Sequence, residues 1–341
     1  MGSGICGDDT FAENRRNKNK KENIHISIEN NKRKEISNNN SSDIYNVNKD
    51  ENNTNLLIKG LDNKNKYFCY INSFIQILFH SPFFLDYLIK EKNSPNYNKS
   101  DLLKYLIQFS ENYDEKYLVN IREIMEKNYN DFQKNKQCDS QDFGSKLIEK
   151  IIMEIKCQKD ISSIKSNSSQ INYLDKYLDE EIPMEKLFTL IECKNEFFSN
   201  YQNKFINFSY ELDLSLPEIS NKKIYLDYLL QKKYNNCKIR KLPKILIITI
   251  NRAILNERYN KKDIKYPHSL NMQKYYYKSK TVKYKLFALN KKKGNSEDNG
   301  HYFCNIKING TWYLFNDSEV EQIKPENTPG DIVGLFYYKS E

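Results

Sequence analysis

Gly60-Leu61-Asp62-Asn63-Lys64-Asn65-Lys66-Tyr67-Phe68-Cys69-Tyr70-Ile71-Asn72-Ser73-Phe74-Ile75-Gln76 places a cysteine where polar loop residues give way to apolar residues at helical spacing. Ile71, Phe74, Ile75, Leu78 and Phe79 recur at three- and four-residue intervals, which predicts one face of a helix from Cys69 to about Leu88. Cys69 then sits at or just before a helix N-terminus, where free N–H groups and a partial positive charge favour a thiolate. Far downstream, Gly300-His301-Tyr302 is followed by Asn316-Asp317. A thiol, an imidazole and a polar group to orient the imidazole are the parts of nucleophilic acyl transfer. Most lone cysteines are buried structural groups, and Cys157, Cys193 and Cys237 are read that way.

Outward from this stretch, helices are predicted over Leu102 to Phe109, Leu118 to Tyr129 and Asp139 to Ile155, the last with Phe143, Leu147, Ile148, Ile151 and Ile152 on one face. The polar stretch Lys159 to Asn172 reads as a loop. The second half changes character. Phe205 to Leu216 alternates like a half-buried strand, Tyr225 to Gln231 reads as a short helix, and Lys244 to Ile250 is rich in β-branched residues, as a buried strand is. Strands also fit Tyr284 to Leu289, His301 to Ile308, Thr311 to Asn316 and Val333 to Tyr338. Helices first and antiparallel strands later predict an α+β protein. Residues 1–55, rich in Asn, Lys, Ser and Glu, bury too little apolar surface to offset ordering and are expected to form a disordered low-complexity tail ahead of a domain over 56–341.

Only 38% of the 341 residues are hydrophobic and 26 are tyrosine, so part of the core must be tyrosine with partnered hydroxyls. The net charge of +9 is spread by a lysine-rich composition and no nucleic-acid-binding motif accompanies it, so no nucleic acid partner is expected. Seven cysteines at irregular spacing, with no Cys-x-x-Cys pair, argue against a disulfide framework and a zinc ribbon. Reduced thiols imply an intracellular protein, cytoplasmic or nuclear. No apolar run is long enough for a bilayer, and no membrane partner is expected. Met1-Gly2 resembles the start of a myristoylation signal, but Cys6 stands where Ser or Thr is needed. Of four histidines, His25 lies in the tail, His268 in a loop after Tyr266-Pro267, and His80 at the end of the first helix, where a cation would complement the helix dipole.

These motifs resemble the ubiquitin-specific proteases, a papain-like family of cysteine deubiquitinases. The cysteine box of that family is matched at Gly60, Leu61, Asn63, Cys69, Tyr70, Asn72, Ser73 and Gln76. Its histidine box is similar to Tyr284-x-Leu286, Gly300-His301-Tyr302 and Trp312-x-x-Phe315-Asn316-Asp317-x-x-Val320. Gln137-Cys138-Asp139-Ser140-Gln141-Asp142-Phe143, Leu242-Pro243-Lys244-Ile245-Leu246 through Arg252, and Tyr266-Pro267 resemble its intervening blocks, in the same order.

The resemblance implies a hand of thumb (about 56–182) and fingers and palm (about 183–341), acting as a monomer on ubiquitin or ubiquitin conjugates without a cofactor. Cys69 would be the nucleophile, His301 its base and then the acid for the leaving amine, Asn316 the orienter, and Asp317 a supporting polar group. Asn63 would be the oxyanion donor, with Asn65 the second choice. Asp139, Asp142, Gln137 and Tyr302 would hold the substrate tail, although the two acids also suit the start of a helix. The sequence departs from the family in several places, among them Lys292-Lys293-Gly294 for His-Ser-Gly and Arg252-Ala253 for Arg-Phe. One extra residue separates Asn63 from Cys69, Lys66-Tyr67-Phe68 replaces Gly-Asn-Thr, and Cys193 and Cys237 stand alone where the fingers usually hold zinc. A metal-free finger region is therefore expected, and the altered turn leaves a second reading open: a catalytically impaired ubiquitin-binding module.

Overall fold

Three- and four-residue spacing stacks side chains one turn above another, and residues of the cysteine segment form α1 (Cys69–Phe79), every residue of which is buried. The computed structural model describes residues 58–63, 66–132, 136–156, 181–198, 201–217, 223–254, 258–294, 300–325 and 328–340. The tail expected over 1–55, the loop expected over 159–172, and Asn65 lie outside the described residues. The first helix ends before the expected Leu88. Pro82 has no N–H to continue it and disfavours helical backbone at Ser81, so the chain restarts as α2 (Phe84–Glu91). His80 caps α1 but is not the expected cation. It is buried, Nδ1 lies 2.7 Å from the Gln76 carbonyl, and burial pushes its pKa down to about 4.

Three further long helices follow: α3 (Asp101–Asn112), α4 (Lys116–Asn128) and α5 (Ser140–Lys156). The apolar face of α5 packs on α1, where the ring of Phe74 lies against Gly144. The short helix α6 (Pro183–Phe188) leads into the strands.

β1 (Leu190–Phe198), β2 (Tyr201–Ser209) and β5 (Cys237–Lys241) form a three-stranded antiparallel sheet in the order β2-β1-β5. The larger sheet has eight strands: β3 (Leu212–Ser215), β6 (Ile245–Asn251), β10 (Ser269–Asn271), β11 (Lys283–Lys293), β12 (His301–Ile308), β13 (Thr311–Asn316), β14 (Glu319–Ile323) and β15 (Asp331–Lys339). Its order is β14-β13-β12-β11-β15-β6-β3, with β10 beside β11. Two-residue ladders join β4 (Ile224–Tyr225) to β9 (Ile264–Lys265) and β7 (Ala253–Ile254) to β8 (Arg258–Tyr259), and α7 (Leu226–Lys233) follows β4.

The single strand expected over 205–216 is two. β2 pairs with β1 as far as Ser209, the chain breaks at Tyr210-Glu211, and β3 then pairs parallel with β6. Alternation of apolar and polar residues cannot report a change of partner, which explains the miss.

The apolar run Ile245–Ile248 of β6 follows from burial on both faces. Ile245 and Ile247 join the core beneath α1 and α5, whereas Leu246, Ile248 and Ile250 join a second core with α7, Leu270 and Met272. Helices in the first half and an antiparallel-rich sheet in the second make the α+β arrangement expected. Among the described residues, no group of His, Cys, Asp and Glu is placed to hold a metal ion, and no helix is long and apolar enough to cross a membrane.

Candidate active site

The thiol of Cys69 lies at the first residue of α1 and is fully buried. Tyr302 follows His301 at the start of β12, so the packing of α1 on β12 joins the two distant motifs. The helix N-terminus does not win the electrostatic contest expected for it. Burial pushes the Cys69 thiol up to about 11, the backbone N–H groups of Tyr302 and Tyr70 oppose it, and the charge of Asp317 adds to it. The thiol is therefore protonated at neutral pH in the unliganded site.

His301 stacks on Phe303, with ring centroids 6.3 Å apart and planes 24° from parallel. Its Nε2 lies 2.6 Å from Asn316 Oδ1 and 3.6 Å from Asp317 Oδ2. Both partners offer oxygen, so Nε2 carries a proton. The register that brings Asn316 to His301 comes from the turn between β12 and β13. Asn309 and Gly310 both have positive φ, 48° and 87°, the requirement of the tight hairpin favoured by Asn-Gly. Cys304 thereby opposes Phe315, and Asn316 reaches the start of β12.

Asp317 ties the two motifs together. It occupies the turn between β13 and β14 with φ 51°, a region that Asp tolerates. Its Oδ1 accepts from Asn72 Nδ2 at 2.9 Å and its Oδ2 from Asn63 Nδ2 at 3.0 Å, while its carbonyl accepts the Leu61 N–H at 2.8 Å. Burial raises the carboxyl above its ordinary range against those two amide bonds and the imidazole of His301. Gly60 makes the close approach possible: a Cβ there would lie 2.4 Å from the Asp317 oxygen. Asn72 and Gln76 had no role from sequence beyond the motif. Asn72 Nδ2 also reaches the carbonyls of Leu61 and Asp62 at 3.4 and 3.2 Å, and Gln76 Nε2 donates to Lys59 O at 2.8 Å. Both lie on turns following Cys69, and their burial as polar groups on a core helix was the available signal.

Asp139 serves two partners. Its Oδ1 accepts the N–H groups of Gln141 and Asp142 at 2.8 and 3.0 Å, capping α5, and its Oδ2 accepts the Tyr302 hydroxyl at 2.8 Å. Asp142 pairs with Lys146 at 3.0 Å, one turn along α5. Tyr302 is buried, and its ring forms part of the first core. Gln137 Oε1 accepts the Gly300 N–H at 3.0 Å, and Gln137 Nε2 lies 4.0 Å from Cys69 Sγ. Asn63 has both ends of its amide engaged, Oδ1 accepting the Phe68 N–H at 2.8 Å and Nδ2 donating to Asp317 Oδ2 at 3.0 Å.

A family sequence profile described as ubiquitin carboxyl-terminal hydrolase matches residues 59–337. The chain belongs to the ubiquitin carboxyl-terminal hydrolase family. This is the ubiquitin-specific protease family named by the motifs, a family of cysteine-type deubiquitinases. Human ubiquitin carboxyl-terminal hydrolase 13 is 38% identical over 56 residues, 16% of this chain and 6% of that protein. Ubiquitin carboxyl-terminal hydrolase 8 of Saccharomyces cerevisiae is 25% identical over 237 residues, 65% of this chain and 44% of that protein. The matched regions thus span under two thirds of these relatives' own length. Among solved structures, a SAGA DUB module of Ubp8, Sgf11, Sus1 and Sgf73 bound to monoubiquitin superposes with a TM-score of 0.64 at 20% identity, covering 83% of this chain and 69% of that one. The same module bound to ubiquitin aldehyde gives 0.62 at 20% identity, covering 83% and 70%. This likeness carries the fold: the chain has the ubiquitin-specific-protease hand, helical first and sheet-rich later.

Proposed function

We propose that this chain is a thiol-dependent deubiquitinase that hydrolyses the peptide or isopeptide bond after the C-terminal glycine of ubiquitin. The observation that carries the reading is the packing of α1, which begins at Cys69, on β12, which begins at an imidazole whose Nε2 is held by Asn316. His301 Nδ1 takes the thiol proton as Sγ attacks the carbonyl carbon, then returns it to the departing amine. Water repeats the sequence on the thioester. Asn316 holds the ring and its tautomer, and Asp317 stabilises the imidazolium at longer range. Asp139 and Asp142 offer carboxylates to cationic residues of the substrate tail, with Tyr302 bordering the same channel. The thumb spans about 56–182, and the fingers and palm about 183–341.

The buried, protonated thiol favours one other reading, a ubiquitin-binding module impaired in cleavage. A ubiquitin probe with a C-terminal electrophile separates the two. Covalent labelling that disappears in Cys69→Ala supports hydrolysis. Ubiquitin binding with no labelling of the wild type leaves the binding module.

A further inference from the structure

Attack on a carbonyl moves negative charge onto oxygen, and catalysis needs N–H donors already aimed at that oxygen. Sequence position nominates Asn63, but both ends of its amide are committed, Oδ1 to the Phe68 N–H and Nδ2 to Asp317 Oδ2. The longer loop explains this arrangement. Lys66 takes a left-handed backbone, φ 62°, and its N–H closes a turn on the Asn63 carbonyl at 3.0 Å. Turning Nδ2 toward the sulfur would strip a donor from the half-buried Asp317 carboxylate.

Gln137 is placed differently. Its Oε1 accepts the Gly300 N–H at 3.0 Å. A backbone N–H only donates, so this bond fixes which end of the amide is oxygen and turns Nε2 toward Cys69 Sγ, 4.0 Å away. Sulfur is a weak acceptor, so the Nε2–H is poorly satisfied in the resting site. A carbonyl carbon bonded to Sγ can bring its oxygen to one side of the sulfur, within hydrogen-bond reach of Nε2. There the N–H gains a charged acceptor that it lacks beforehand, which is the differential stabilisation that accelerates a reaction.

We propose that Gln137 supplies the side-chain donor of the oxyanion hole in this chain, together with the backbone N–H of Cys69, and that Asn63 is a positioning residue that holds Asp317. The inference rests on the hydrolase reading above. In the step concerned, the sulfur electron pair forms the S–C bond and the carbonyl π pair moves to oxygen, where the Gln137 and Cys69 N–H groups receive it. The thiol proton sits on His301 and leaves with the amine as the C–N bond breaks and the carbonyl re-forms.

The test measures hydrolysis of ubiquitin carrying a C-terminal fluorogenic amide, and binding of ubiquitin and of ubiquitin aldehyde, for the wild type, Gln137→Glu and Gln137→Ala. Gln137→Glu keeps an oxygen for the Gly300 N–H and removes the donor; thermal unfolding checks that both variants fold. The expected result for both is a kcat lower by a factor of about 100–1,000, a KM within a few-fold of wild type, unchanged ubiquitin affinity, and a comparable loss of ubiquitin aldehyde affinity. Unchanged kcat in Gln137→Glu overturns the proposal. So does a raised KM at unchanged kcat, which makes Gln137 a tail-binding residue, or faster turnover in Gln137→Ala, which makes it a cover over the thiol. In each of those cases the hydrolase reading survives; a wild type that hydrolyses nothing removes both.

Discussion

Two buried titratable residues show how burial overrides the helix they sit on. Cys69 has the N-terminal place that favours a thiolate, yet its pKa is pushed up to about 11. Without ubiquitin, alkylation of Cys69 by iodoacetamide should be slow at pH 7 and inflect well above the free-thiol value of about 8.5. Mass spectrometry of the Cys69 peptide against pH checks this, and an inflection at or below the free-thiol value would contradict it. His80 has the C-terminal place that favours a cation, yet its pKa is lowered to about 4. Between about 6.5, its ordinary value, and 4 the unfolded chain binds a proton that the folded chain refuses. Folding stability should therefore fall on acidification through that window, by on the order of 3 kcal/mol. Urea unfolding of wild type and His80→Gln from pH 7.5 to 4 tests it: the variant should lack that part of the slope, and parallel profiles would refute the assignment.

At the level of elements, the site depends on how closely α1 and α5 cross. Gly144 lets Phe74 lie against α5, because a Cβ at 144 would come within 2.0 Å of the ring. Phe74 has no open direction to retreat, since Phe143 and Phe336 meet it edge-on with centroids 6.3 and 5.8 Å away. Glycine to alanine in a helix normally stabilises by about 1 kcal/mol. Here Gly144→Ala should destabilise by about 1–3 kcal/mol net, because overpacking outweighs propensity. A lower thermal midpoint with reduced kcat is expected, and a raised midpoint would show that the helices separate freely.

Across the whole molecule, one sheet carries two cores. Ile151 lies in the core beneath α1 and α5, and Leu229 in the core beneath α7, with the eight-stranded sheet between them. Leu and Ile to Ala changes in such sites cost about 2–5 kcal/mol each. Ile151→Ala and Leu229→Ala should add in the double variant, because the sites share no partner. Unfolding in urea should nevertheless remain a single transition by fluorescence and by circular dichroism, because neither core persists without the sheet. Two separated transitions would show that the cores fold independently.

Local periodicity made α3, α4, α5 and the strands β6, β11, β12, β13 and β15 legible, because each has one run of apolar residues at one period. Motif order made the family legible. Three matters needed the folded chain. The split of the 205–216 strand into β2 and β3 is a change of pairing partner, which side-chain alternation does not encode. The titration of Cys69 and His80 is set by what the tertiary core excludes, chiefly water. The amide facing the sulfur is that of Gln137 rather than Asn63, because a carboxylate from the far end of the chain, Asp317, competes for Asn63 and a distant backbone N–H, Gly300, orients Gln137. Short-range pattern decided which elements form; contacts between residues remote in sequence decided where charge and hydrogen-bond donors point.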